Sequence, residues 1–405
     1  MILDFYRVQT LVMEKTELKR YLIGTIFLLM SWWIGSPFED THWPKWMMFY
    51  YLAGFGFAWF VFDLTQRLEF AILILAMFAS GIHAMADRRS YETLHLISQV
   101  DLMGHSARAL LVFVLCTLFA LFVPTYELIK PLITVAAINI AISVGQSLSG
   151  RPNYLASGFL PNYSMHACMI AMVYPLAIFN WLPKKNSDPF GWVCLSVIVL
   201  GPIAVFKSQS SIGFISFVAM LLAMVSMAMA RSFKIRYVIG AVIVIGLCLL
   251  SLGQYVDPDW TKVSQIARMK LWPAILDFWL DHGNFWVGMG LGTFRHFGSV
   301  IQTQIQVEVG WWWLWAHNDW LQILFETGVL GLAASVLVLL SAFWRAIALG
   351  HDGLVGSLVA VSVVSFGNYP LRLAEFAMVV TIIMSAALRL PKSRGNTWKN
   401  FYLRF

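Results

Sequence analysis

Charged residues are scarce in this sequence: Asp, Glu, Lys and Arg make up 12% of it, while 59% is hydrophobic. A soluble globular domain carries about 25% charged residues. A deficit of this size leaves too few polar side chains to cover the surface of a water-exposed protein. The composition therefore predicts that lipid, rather than water, surrounds most of the molecule.

Cysteine is rare as well, and the four that occur are scattered through apolar runs without metal-type spacing. This pattern argues against a disulfide framework or a zinc site and favours buried, small hydrophobic side chains. The apolar runs also offer no cluster of carboxylates for magnesium. We expect no metal ion and no other cofactor. The cysteines are Cys116, Cys168, Cys194 and Cys248.

Long runs of like charge are absent, although the formal net charge is +7. The basic residues stand singly or in pairs between apolar runs, and no basic stripe is interleaved with aromatic residues. Both features argue against nucleic-acid binding, and they agree with basic residues that set membrane topology.

Long apolar runs are abundant. A bilayer core needs about 20 apolar residues in a helix, because inside lipid the backbone must satisfy its own hydrogen bonds. The sequence therefore predicts an all-α polytopic membrane protein with about 12 transmembrane helices, the first of them an uncleaved span. The predicted spans are 21–35, 46–64, 70–86, 107–123, 131–148, 165–183, 190–207, 211–230, 237–255, 320–344, 353–369 and 373–390.

The distribution of Lys and Arg predicts the orientation. With the N-terminus inside, the cytoplasmic segments hold more than twice as many Lys and Arg as the short outer segments, which favours two cytoplasmic termini. The expected organisation is a membrane domain at 1–255 with nine spans, a periplasmic loop at 256–319, three further spans at 320–390 and a cytoplasmic tail at 391–405. A loop as long as 256–319 is usually functional.

This loop contains three recognisable patterns. Apolar residues recur at helical spacing from Trp260 to Asp281, which predicts an amphipathic helix on the membrane surface or across the mouth of the bundle. Glycines at 283–292 predict tight turns. Tryptophans at 311–315 are typical of a membrane interface. Taken alone, Arg268 fits a solvated or headgroup-paired residue as well as a ligand contact, and His317 fits an ordinary residue at a helix start.

The order of four motifs resembles the O-antigen ligase and polymerase superfamily. The stretch His317–Leu332 has the His-Asn, aromatic-Leu and Glu-x-Gly-x-x-Gly elements that open a span after a long outer loop in that family. The other three lie from Gly150 onward. They are Gly150-Arg151 with Gly158-Phe-Leu-Pro-Asn162, then Arg268 with Gly288-Met-Gly-Leu-Gly-Thr-Phe294, and Asn368-Tyr-Pro-Leu-Arg372.

One element departs from the family pattern. Many members carry a Ser-Arg pair at the outer end of a middle span, where this sequence reads Lys207-Ser208-Gln209-Ser210. Lys207 is the nearest cation, and a lysine supplies charge without the bidentate fork of an arginine. The departure concerns how a diphosphate would be bound and leaves the class of protein unchanged.

The resemblance implies a glycosyltransferase of the bacterial inner membrane that faces the periplasm. Its donor would be a glycan on undecaprenyl diphosphate and its acceptor a sugar hydroxyl on lipid A–core, with metal-independent, inverting transfer. His317 is the expected general base, and Arg268 and Arg151 are the expected cations for the departing diphosphate. Substrate-binding residues would be Lys207, Arg372, Asn318, Trp315, Tyr369 and Arg295.

Three alternatives stay open at this point. A polymerase of O-antigen or exopolysaccharide would use the same donor chemistry with a growing glycan as acceptor. A protein O-oligosaccharyltransferase shares the motifs, although such enzymes are usually longer. A multi-span transporter or lipid flippase would also show about twelve spans, but it would be expected to show paired halves and helices broken near the midplane.

Overall fold

A computed structural model describes residues 25, 128–149, 158, 160, 163–181, 189–232, 258–305 and 314–389. These residues contain helices and connecting turns, and no strand occurs among them; a single isolated bridge joins Asn284 and Gly288. The all-α class predicted from the sequence is confirmed for the described residues.

The described part of the chain contains nine α-helices and one short 3-10 helix. The connecting turns between several of them are short, which makes neighbouring helices antiparallel. The helices are α1 Ile129–Leu148, α2 Tyr163–Trp181, α3 Pro189–Lys207, α4 Ser211–Ser232, α5 Pro258–His282, α6 Phe294–Gln304, α7 Asp319–Ala348, α8 Asp352–Gly367, the 3-10 helix Pro370–Arg372, and α9 Ala374–Arg389.

Seven of the twelve predicted spans coincide with helices α1 to α4 and α7 to α9. Four of these, α1, α2, α3 and α7, are long and apolar enough to cross a membrane, and shorter apolar helices lie in α4, α8 and α9. The five remaining predicted spans, apart from the helical residue Thr25, lie outside the described residues. They are 21–35, 46–64, 70–86, 107–123 and 237–255.

The centre of the described bundle is α2, which packs against α3, α4 and α8. Residues 165–177 of α2 are buried without interruption, so this helix is surrounded by protein on every side. Helix α8 approaches it through Gly353 and Gly356, where a Cβ atom would lie 2.6 Å from Phe179 Cβ and 2.9 Å from Pro175 Cβ. Small residues allow such close approach between membrane helices.

The loop helices form a second, smaller core. Leu271, Ile275, Phe278 and Trp279 recur at helical spacing on α5 and are buried. They belong to one apolar cluster with aromatic residues of α6 and with Phe325 of α7. The predicted amphipathic helix is therefore present, and its apolar face packs on α6 and on the first turns of α7.

Helix α7 is interrupted at Gly328, which has φ 63° and ψ −167°. The turn at 285–290 fills the gap: Met289 N–H donates to the carbonyl of Phe325 at 2.8 Å, and Leu330 N–H donates to the carbonyl of Trp286 at 3.1 Å. The apolar run predicted a span at 320–344, which α7 matches, but it did not indicate the interruption at Gly328. An inserted turn takes over hydrogen bonds that a continuous helix would make within itself.

Candidate functional site

Several helix ends meet in one place. The hydroxyls of Ser164, at the start of α2, and Ser210, in the turn between α3 and α4, share a hydrogen bond of 2.9 Å. The side-chain amide of Asn368, directly after α8, lies 3.5 Å from the Ser164 hydroxyl and 3.7 Å from Cys168 Sγ. These contacts bring the start of α2, the start of α4 and the end of α8 together.

Arg268 reaches this junction from α5. Its Nη1 donates a hydrogen bond of 3.0 Å to the carbonyl of Gly367, the last residue of α8. Carbonyls in the last turn of a helix lack partners within the helix and carry partial negative charge, so a guanidinium is a favourable partner. Burial lowers the pKa of Arg268, while neighbouring Tyr369, Cys168 and Tyr163 oppose that shift.

His317 lies beside Arg268 in the segment that precedes α7. Burial lowers its pKa to about 3, and the positive charge of Arg268 contributes to the shift. Its ring meets the ring of Tyr369 edge to face, with centroids 4.7 Å apart. The imidazole is therefore neutral at pH 7 and lies within the electrostatic reach of a fixed guanidinium.

Trp315 completes this group, since its ring stacks on Tyr369 with centroids 6.1 Å apart. We call Arg268, His317, Tyr369 and Trp315 the Arg–His cluster. In the sequence, Arg268, His317 and Tyr369 lie in three separate motifs and Trp315 lies in the tryptophan segment before the second of these; the structure brings them together.

The backbone around His317 is held in an unusual shape. His317 has φ +52°, in the left-handed region that few residues other than glycine adopt. Asn318 then caps α7, because its side-chain oxygen accepts the backbone N–H of Leu321 at 3.0 Å. Asn318 was predicted to bind substrate; the described contact is that of a helix N-cap.

Arg372, another predicted substrate contact, lies against two acidic side chains. Its Nη1 is 3.0 Å from Glu326 Oε2, and its Nε is 3.8 Å from Asp319 Oδ1. We call these three residues the ion cluster. The Asp319 and Glu326 side chains are 0% and 1% exposed, and that of Arg372 is 15% exposed.

The remaining predicted site residues are less closely associated with the Arg–His cluster. Lys207 is half-buried in the last turn of α3, three residues before Ser210. Arg295 is exposed on α6. Arg151 lies outside the described residues. Its neighbour in the same motif, Gly158, donates its backbone N–H to Gln146 Oε1 of α1 at 2.9 Å.

Sequence reasoning did not single out Ser164, Ser210 or Gln322. The Ser-Gln-Ser-Ser interruption after an apolar run was a signal for Ser210, because serines at a helix start commonly serve polar contacts. Ser164 follows no such pattern. Cys168 and Cys194 are buried among apolar residues, as the sequence predicted, and Cys116 and Cys248 lie outside the described residues.

The described residues thus form an all-helical membrane protein with a guanidinium and a neutral imidazole assembled at a junction of helix ends. The described residues contain no group of three or more His, Cys, Asp or Glu side chains placed to hold a metal ion.

The family described as O-antigen ligase (Wzy_C) matches residues 194–336, about a third of the chain. This match confirms the resemblance to the O-antigen ligase superfamily that the motifs showed. The matched region includes Lys207, Arg268 and the motif His317–Leu332, whereas Arg151, Tyr369 and Arg372 lie outside it. No match was found among curated proteins.

Proposed function

We propose that this protein is an O-antigen ligase. It transfers a glycan from undecaprenyl diphosphate to a sugar hydroxyl on lipid A–core, at the periplasmic side of the bacterial inner membrane. Both chain termini are cytoplasmic in this proposal. The observation that carries it is that Arg268 binds the Gly367 carbonyl and the His317 ring packs against Tyr369, two residues further along, while Arg268 and His317 both lie in the region that matches the O-antigen ligase family.

Transfer breaks the bond between the anomeric carbon of the donor glycan and the diphosphate oxygen. The departing diphosphate gains negative charge in the transition state, so fixed positive charge aimed at it accelerates the step. Arg268 is the first candidate for this role, because its hydrogen bond to the Gly367 carbonyl holds the guanidinium at the junction. Arg151 is the proposed second cation, with Lys207 and Arg295 as further diphosphate contacts.

The acceptor hydroxyl attacks the anomeric carbon from the face opposite the diphosphate, so configuration inverts. Its proton passes to a ring nitrogen of His317, which acts as general base. In the free protein the imidazole is a weak base because burial and Arg268 lower its pKa. A bound diphosphate brings negative charge to the same place, which favours the imidazolium and raises the pKa toward a useful value.

The sugar would contact the aromatic members of the cluster. Trp315 and Tyr369 present parallel rings, and aromatic faces stack well on sugar rings. Asn318 would hold the backbone of the segment that carries His317. The proposed reaction needs no metal ion, because the arginines supply the positive charge that a cation would otherwise provide.

The test is transfer by the purified full-length protein from an undecaprenyl-diphosphate-linked glycan to lipid A–core. We expect the His317→Ala variant to lose a factor of about 10²–10⁴ in rate. His282 is a matched control, because it is an exposed histidine on α5, and its replacement by Ala should leave the rate unchanged. Normal turnover by the His317→Ala variant would exclude His317 as the base.

A deletion strain separates the ligase from its relatives. Loss of a ligase leaves lipid A–core without polymer, together with polymer still attached to undecaprenyl diphosphate. Loss of a polymerase instead leaves core capped by a single repeat unit. Loss of a transporter or flippase gives neither pattern, and an unchanged lipopolysaccharide with altered glycoprotein would indicate a protein O-oligosaccharyltransferase.

A further inference from the structure

The ion cluster connects two segments that are distant in sequence. Asp319 and Glu326 belong to α7, which begins two residues after His317, and Arg372 belongs to the 3-10 helix that follows Tyr369. Asp319 Oδ2 also accepts the backbone N–H of Leu371 at 3.0 Å. Charged and backbone contacts therefore link the start of α7 to the turn that carries Tyr369.

A relay of hydrogen bonds extends from Glu326 back to the residue before His317. Gln322 Nε2 donates to Glu326 Oε1 at 2.8 Å, and Gln322 Oε1 accepts the backbone N–H of Ala316 at 3.2 Å. The carbonyl of Ala316 accepts the indole N–H of Trp272 at 2.9 Å. Both the N–H and the carbonyl of Ala316 are therefore hydrogen-bonded to side chains. On the other side of His317, the side chain of Asn318 accepts the backbone N–H of Leu321.

His317 therefore stands between two anchored residues in a backbone conformation that is unfavourable by itself. A non-glycine residue in a sparsely populated region persists only where its surroundings impose it. Buried ion pairs rarely add net stability, since removing two charges from water costs as much as their attraction returns. A buried ion pair can instead serve to fix one arrangement of the chain. In this protein the ion cluster fixes the position of His317 against Tyr369.

We propose that Glu326 and Arg372 are positioning residues, whose contact holds the His317 segment against the Tyr369 turn. This inference rests on the proposed function insofar as His317 is the base. It assigns Arg372 to the framework of the site and not to the diphosphate. Lysine at position 372 would keep the charge but lack the fork that serves Glu326 and Asp319 together.

The kinetic test compares Glu326→Gln, Arg372→Gln and the double variant in the transfer assay. Displacing a catalytic group by about 1 Å costs about 10²-fold, so each single variant should lose about that factor in kcat with little change in donor KM. The double variant should be no slower than either single variant. Asp277→Asn, an exposed carboxylate on α5, is the control and should be unaffected.

Two further comparisons sharpen the kinetic test. In the His317→Ala background, Glu326→Gln should cost no additional activity, because there is no imidazole left to position. Arg372→Lys should lose about 10-fold in kcat, less than Arg372→Gln. A raised donor KM in the Arg372 variants alone, with the Glu326 variant normal, would show that Arg372 contacts substrate and would overturn the proposal.

Amide hydrogen exchange provides a readout that does not depend on catalysis. The backbone N–H groups of Ala316 and Leu371 should exchange faster in Glu326→Gln and Arg372→Gln, while those of α2 keep their protection. Unchanged protection at Ala316 and Leu371 in variants that lose activity would contradict positioning. Faster exchange combined with a fully active His317→Ala variant would refute the proposed function and leave the framework role of the ion cluster standing.

Discussion

The two halves of the motif His317–Leu332 have different surroundings. The ring of its first residue, His317, contacts the ring of Tyr369, and the positive charge of Arg268 helps to lower the pKa of His317. Its second half is held mainly by backbone: the N–H groups of Met289 and Gly290 donate to the carbonyls of Phe325 and Glu326 at 2.8 and 2.9 Å. One continuous motif therefore combines a candidate reactive group with the backbone contact between α7 and the turn at 285–290.

The difference teaches how to interpret the residues of such a motif. The contact described for the His317 side chain is with another ring, so its loss should appear in activity. A glycine of the second half cannot be replaced without moving two chain segments apart, so its loss should appear in stability as well. Variants from the two halves can test this division.

After His317, the largest effect on activity alone is expected from Arg268. Removing one preorganised donor from a developing anion typically costs about 10²–10³ in kcat, and Arg268→Ala should fall in that range. Arg268→Lys should recover part of the loss, because it keeps the charge without the fork. Transfer assays and thermal unfolding of the same preparations measure both quantities.

Lys270 offers a matched control, since it lies on the same helix with an exposed side chain. Lys270→Ala should change neither activity nor the unfolding temperature. If Arg268→Ala and Arg268→Lys both retain full activity, Arg268 does not contact the departing diphosphate. If Arg268→Ala unfolds at a much lower temperature, Arg268 stabilises the fold, as the second half of the motif does.

Gly328→Ala should destabilise the protein as well as inactivate it. With φ 63° and ψ −167°, Gly328 lies in a backbone region that is open essentially to glycine alone, and a non-glycine residue there costs about 1–3 kcal/mol. In addition, a Cβ atom at Gly328 would lie 2.6 Å from the backbone nitrogen of Gly288, so the turn at 285–290 would have to move. We expect a loss of at least about 2 kcal/mol in the free energy of unfolding, measured by thermal denaturation in detergent.

Gly145→Ala and Gly191→Ala are the controls, because a Cβ at either glycine meets no atom within 4 Å. Both lie in helices, where alanine is favoured over glycine by about 0.5–1 kcal/mol. These variants should be as stable as the parent or slightly more so. A Gly328→Ala variant with unchanged stability would mean that the contact between α7 and the turn at 285–290 does not depend on the close approach of Gly328 to Gly288.

Most of the helices and several residues of the candidate site could be predicted from the sequence. The apolar runs predicted helices α1 to α4 and α7 to α9, and the resemblance brought Arg268, His317 and Tyr369 forward as site residues. The sequence also showed glycines at 288 and 328, but it gave no sign that the two would meet. A contact between backbones leaves no side-chain pattern, so a span predicted from hydropathy appears continuous where α7 is broken.

The role of charged residues was harder to predict for a similar reason. Arg372 stands in a family motif at a helix start, where a substrate contact and an internal ion pair have the same sequence signature. Only the folded chain shows that Glu326, 46 positions earlier, lies 3.0 Å from it. Long-range pairing of this kind depends on how α7, α8 and α9 pack, and that packing is not encoded in any local pattern.

The smallest effect is expected from pH, and it tests the electrostatic side of the comparison. The kcat/KM profile reports ionisation in the free enzyme. Burial and Arg268 lower the pKa of His317 to about 3, so the imidazole stays neutral as the pH falls from 7.5 to 5.5. The profile should therefore be nearly flat over that range, whereas a histidine with an ordinary pKa near 6.5 would lose about 10-fold.

The same shift predicts how stability changes with pH. Because the folded-state pKa of His317 lies below its unfolded value, the unfolded chain takes up a proton that the folded protein does not. Stability should therefore fall as the pH drops from about 6.5 toward about 3. His317→Ala should remove that part of the dependence, while His282→Ala should leave it in place. A fall in kcat/KM below pH 6.5 that persists in both variants would show that another group titrates. A fall below pH 6.5 that His317→Ala abolishes would show that Arg268 and burial do not control the pKa of the imidazole.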